Sequence, residues 1–67
     1  MDHFDFACSN HGTIFLLQAL SPEAREWEEE HLPEDRQYFG MAVAVEHRYI
    51  GDILRGIKAD GLLVRED

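Results

Sequence analysis

The chain is poor in the devices with which small proteins hold themselves together. Among 67 residues there is one cysteine, Cys8, so no disulfide can close within it. A lone thiol and the lack of an apolar leader-like run lead us to expect a cytoplasmic protein rather than a secreted one. Apolar runs such as Ile14-Phe15-Leu16-Leu17 fall far short of the roughly 20 residues a membrane span needs. Basic residues are scarce as well, six against fourteen acidic ones, and they form no cluster. Contacts with nucleic-acid phosphates or anionic membranes are driven largely by Lys and Arg. Direct binding to either is therefore not expected.

Catalytic signatures are missing too. There is no nucleophile elbow, phosphate loop or dinucleotide fingerprint, and the five glycines are spaced too irregularly to cradle a phosphate. Cys8 and His11 stand at a metal-like x₂ spacing, with His3, His31 and His47 elsewhere. Structural zinc asks for four ligands in paired motifs, so neither a metal nor another cofactor is expected. Cys8 reads more simply as a small buried group and His11 as a turn residue. An enzyme built on Cys8, Ser9, His11 or His47 ranks last among the readings, because so small a core leaves little room for a pocket.

What the chain does have is acid, concentrated in one place. The net charge is −8, and seven of the fourteen acidic residues lie between Ser21 and Asp35, with Arg25 as the one basic residue there. Ser21-Pro22 is a helix start, since the hydroxyl can accept an orphan N–H and Pro in the first turn loses no hydrogen bond. Ala24 occupies the position where a full capping box wants Glu or Gln. Ala24, Trp27 and His31 then give one narrow buried face, and Pro33 ends the helix near 31 or 32. Glu23, Glu26, Glu30 and Glu34 fall beside that face. They form a carboxylate stripe suited to a basic partner, or a solvated face that keeps a small domain soluble. Arg25 is spaced to pair with Glu28 or Glu29. Trp27 reads as the core contact of an otherwise polar helix rather than as an exposed anchor.

Elsewhere the pattern predicts a strand near 4–8, a turn at 9–12, and a strong strand at 13–18. Tyr38–Val45 reads as one further strand, with Met41, Val43 and Val45 on one face. The small Ala42 and Ala44 on the other suggest a closely packed helix over them. His47–Asp60 reads as a second helix with Tyr49, Ile50, Ile53, Leu54 and Ile57 on its apolar face. Gly61 follows as its left-handed cap, then a short strand at 62–65. Gly51 and Gly56 lie on different sides of that helix, so one close contact cannot account for both.

The expectation is an α+β fold in one domain, 1–67: a small sheet of three to four strands with two helices on one face, in the order β(β)αβαβ. The strand at Ile14–Leu17 lacks polar alternation, so it looks buried on both sides. Something must then cover the second face, and a second copy of the chain is the economical choice. If that face instead binds one cognate protein, Phe15 and Leu17, or their neighbours, are the candidate apolar interface residues.

The segments Asn10-His11-Gly12-Thr13-Ile14, Leu20-Ser21-Pro22, Ala24, Trp27, Val45-Glu46, Arg48-Tyr49, Asp52-Ile53, Gly61-Leu62 and Val64 resemble a group of small uncharacterised bacterial proteins often carried on phage-derived and other mobile DNA. The likeness implies a bacterial accessory protein and transfers no site residue. The reading is a non-enzymatic interaction module with an acidic helix, an inhibitor or adaptor acting on a basic protein. The alternative is a structural or antitoxin-like subunit binding one cognate protein through an apolar sheet face.

Overall fold

In the computed structural model, which describes residues 3–66, seven elements follow in chain order. They are β1 (Phe6–Asn10), β2 (Ile14–Ala19), α1 (Pro22–His31), β3 (Tyr38–Phe39), β4 (Ala42–Glu46), α2 (His47–Ala59) and β5 (Val64–Glu66). The strands form one sheet ordered β3-β4-β2-β1-β5. All pairs are antiparallel except β1 with β5. The α+β class stands, but the sheet has five strands where three to four were expected.

The extra strand arises at Gly40. The segment read as one strand is a hairpin, because Gly40 takes φ +63 and Phe39 pairs back with Ala42. Positive φ at the first central residue and not at the second is the signature of the II′ turn, which matches strand twist. Gly12, at φ +87, serves the β1–β2 turn, where the Asn10 side chain accepts the Gly12 N–H at 2.9 Å. Both strands of that hairpin lie one to two residues later than the pattern suggested.

α1 starts as its sequence dictates. Ser21 is extended, and its Oγ accepts from the Ala24 N–H at 3.1 Å. The same hydroxyl donates to Asp5 Oδ1 at 2.7 Å, while Asp5 Oδ2 accepts the Leu63 N–H at 2.9 Å. One carboxylate thus ties the start of α1 to the approach of β5. These two donors hold the Asp5 carboxyl below its ordinary value, the Leu63 N–H being the stronger cause. α2 ends at Ala59, with Gly61 at φ +83. Its N–H reaches Lys58 O and the Leu62 N–H reaches Ile57 O, so the helix closes in a Schellman motif.

Both helices cover the face carrying Phe6, Cys8, Leu17, Val43 and Val45, and Ala24, Trp27, Ile50 and Ile57 complete the core. The helix was expected over Ala42 and Ala44. It lies instead over the valines, which offer more apolar area to bury. Met41 belongs to the turn and is 73% exposed, so it does not join them. Tyr49 is likewise exposed, with the Arg48 guanidinium over its ring.

The parity of β2 settles where Phe15 and Leu17 sit. Leu17 is fully buried under the helices, and Phe15 packs against the same core. The uncovered face takes Ile14, Leu16 and Gln18 from β2, paired with Glu46, Ala44 and Ala42 of β4. An interface on the outer face therefore cannot use Phe15 and Leu17.

Candidate functional site

Three of the four stripe carboxylates come together. Glu23, Glu26 and Glu30 line a cleft of about 350 Å³ with Trp27, His31, Asp60 and Leu62. Helical spacing of three and four residues puts them along one flank of α1, and the end of α2 supplies the opposite wall. Glu34 lies beyond α1 in the polar connection and does not line this cleft. Among the described residues no ion pair neutralises Glu23, Glu26 or Glu30, so the cleft keeps its negative charge.

Trp27 builds the cleft floor. It is 6% exposed, meets Phe6 edge-on with ring centroids 6.0 Å apart, and donates its indole N–H to Asp60 Oδ2 at 2.7 Å. It is thus a core residue with one polar edge, and that edge holds Asp60 in place. The His31 ring stacks on the indole at 4.3 Å, and its Nδ1 lies 3.0 Å from Trp27 O. His31 Nε2 stands 3.7 Å from Asp60 Oδ2. Sequence spacing put His31 on the buried face, whereas it is exposed and roofs the tryptophan. Asp60 was missed because it is 30 residues from Glu30, although its place at the helix end was legible.

The opposite flank of α1 is different. Glu29 pairs with Arg36 at 2.5 Å rather than with Arg25. Arg36 also donates to Pro33 O at 2.9 Å and to the Tyr38 hydroxyl at 3.1 Å. Beside this network Glu28 is 5% exposed, and its Oε2 has no hydrogen-bond partner. Burial pushes its carboxyl above the ordinary value, opposed by Arg36 and reinforced by Glu29. Within a run of acids, sequence offered no signal that this one turns inward.

A larger groove, about 600 Å³, opens between the end of α1 and the first turns of α2, over Val43 and Val45. Leu32, Tyr49 and Ile53 form its apolar walls. Of Cys8, Ser9, His11 and His47, the thiol stands apart from the rest. Cys8 is buried under the helices, while Ser9 Oγ and His11 Nε2 bond each other at 3.0 Å in the exposed turn. His47 lies at the same end of the sheet as that turn, its backbone N–H donating to Thr13 O at 2.9 Å. Among the described residues no group of three or more His, Cys, Asp or Glu is placed to hold a metal ion. None of their helices is long and apolar enough to cross a membrane.

Comparison with family models, with curated proteins and with solved structures finds no match.

Proposed function

We propose that this chain is a protein-interaction module whose acidic helix receives a basic segment of another protein. The observation that carries this reading is the cleft of Glu23, Glu26, Glu30 and Asp60 around Trp27, in which no lysine or arginine intervenes. Four carboxylates beside the partly exposed Leu62 suit a Lys or Arg side chain, whose stem can lie on that apolar group while its head meets charge. The role that fits is an accessory inhibitor or adaptor, consistent with the resemblance to proteins of mobile DNA. Nucleic acid is not the ligand, for want of basic surface.

Binding of a lysine- and arginine-rich peptide, followed by Trp27 fluorescence, tests the reading. Affinity should fall steeply with salt and drop roughly tenfold or more in Glu23→Gln/Glu26→Gln/Glu30→Gln. Equal affinity in the triple variant would sink it.

A second reading, a structural or antitoxin-like subunit using its sheet, is supported by the uncovered face and by exposed Phe39 and Met41 beside it. A contact of that kind would be insensitive to salt and to the triple substitution.

A further inference from the structure

The outer face of the sheet has an internal order that the strand registers make explicit. Phe39 pairs with Ala42, Ala42 with Gln18, Gln18 with Ala7, and Ala7 with Arg65. One straight row thus crosses all five strands and reads Phe-Ala-Gln-Ala-Arg. The next row reads Ala44, Leu16, Ser9 across β4, β2 and β1. Both rows have a large or amide residue at the centre, on β2, and small residues on either side.

That arrangement is self-complementary under a two-fold rotation about an axis running along β2. The rotation lays the β3–β4 half of one copy over the β1–β5 half of the other. Gln18 meets Gln18, and an amide carries both the donors and the acceptors that such a meeting needs. Ala42 meets Ala7, Ala44 meets Ser9, and Leu16 meets Leu16. The small pairs let the sheets approach to the usual separation of roughly 10 Å. At the ends of the long row Phe39, 72% exposed, comes under Arg65 of the second copy, a cation over an aromatic face. A depression of about 260 Å³ on this face is lined by Ala7, Ser9, Leu16, Phe39, Met41 and Arg65 among others. A cavity of roughly 150 Å³ already admits a benzene ring, so the depression can take an incoming phenyl group.

We propose that the outer sheet face is the seam of an isologous homodimer, its occupant a second copy of this chain stacked about an axis parallel to β2. Charge favours this face over any other. The strands present only Glu46 and Arg65 there, while the acid of α1 lies on the far side of the sheet. Interface cores are depleted of charge in the same way. The face is roughly 20 Å on a side, five strands about 4.8 Å apart and six residues along β2, the footprint of a concentration-dependent pair rather than an obligate one. The proposal does not rest on the acidic cleft, which faces away from the seam.

Sedimentation of the full chain over a concentration series, with circular dichroism to confirm folding, provides the test. The wild type should sediment at twice the mass of one chain. Phe39→Arg sets arginine against arginine and should raise the dissociation constant roughly tenfold or more. Adding Arg65→Phe to that variant exchanges the row's two ends, keeps the row self-complementary, and should restore most of the lost affinity. Leu16→Asp, placing two carboxylates together at the axis, should give a folded monomer at low concentration. A wild type that stays monomeric up to its solubility limit overturns the proposal. So does a dimer unmoved by Phe39→Arg, or a double variant no tighter than Phe39→Arg alone.

Discussion

The two faces of the sheet are made from the same strands, alternate residues of one chain, yet one is finished and the other is not. The inner face presents Phe6, Cys8, Leu17, Val43 and Val45 to two helices and leaves no part of Phe6 or Leu17 in water. The outer face presents Leu16, Gln18, Ala42 and Ala44, all partly exposed, beside a buried Ala7, and neither helix covers it. The difference teaches that a single-residue step in β2 separates a residue needed for folding from one available for recognition.

The sharpest break of that comparison is Leu17→Ala. Loss of a fully buried leucine costs about 3 kcal/mol or more, comparable with the whole stability of a domain this small. We expect the variant to be unfolded at room temperature by circular dichroism.

Next comes Glu28, the one charged side chain that is buried among the described residues. Its folded-state pKa lies above its ordinary value of 4.5. Its contribution to stability is therefore fully present below pH 4.5 and is lost as pH rises through the folded pKa. Glu28→Gln should remove that dependence, and Glu28→Met should raise stability at neutral pH by about 1–2 kcal/mol by replacing an orphaned buried acceptor. Asp5 acts in the opposite sense. Its pKa is lowered from 3.8, so its stabilisation is present above that value and fades as pH falls through the folded pKa. Urea unfolding across pH 3–7 on wild type and Glu28→Gln separates the two. A wild-type curve parallel to that of the variant would refute the role given to Glu28.

A smaller effect distinguishes the two helical glycines. A methyl at Gly51 would meet nothing within 4 Å, whereas one at Gly56 would lie 3.4 Å from the Trp27 ring. Gly51→Ala should stabilise by up to about 1 kcal/mol, the helix-propensity gain. Gly56→Ala should gain less, because the indole must accommodate it. Thermal melts of the two variants decide.

The smallest effect is Leu16→Ala in dilute solution, about 1 kcal/mol for a side chain that one copy alone buries only in part. If the outer face closes on a second copy, the loss should grow with protein concentration. That growth makes Leu16 and Leu17, adjacent in sequence, distinguishable by one variable.

Much of this was legible in the residues. Ser21-Pro22, Pro33 and Gly61 marked helix ends by local chemistry, and Trp27 was identified as a core contact from the polarity of its neighbours. The convergence of Glu23, Glu26 and Glu30 followed from helical spacing. What escaped depended on distant parts of the chain. The assignment of Phe15 and Leu17 to the outer face failed because an unbroken apolar run carries no parity. A strand of that kind reads alike from both sides until its partners are known. Gly40 was passed over because the residues flanking it all favour strand. Glu28 was indistinguishable from its neighbours until the position of the β3–β4 turn was fixed, and Asp60 joined the acidic cleft only through the tertiary contact with Trp27.

The pairing of β1 with β5 has a consequence for how the protein is made. The Asp5 carboxylate and the Leu63 N–H are 58 residues apart. β1 therefore waits, one edge open, until residues 62–66 have been translated. Contacts of such long sequence separation close slowly. Until then the β1–β2 hairpin holds its apolar side chains without a roof, and the carboxylates of α1, next to emerge, are the part of the nascent chain best able to keep it from sticking to its neighbours.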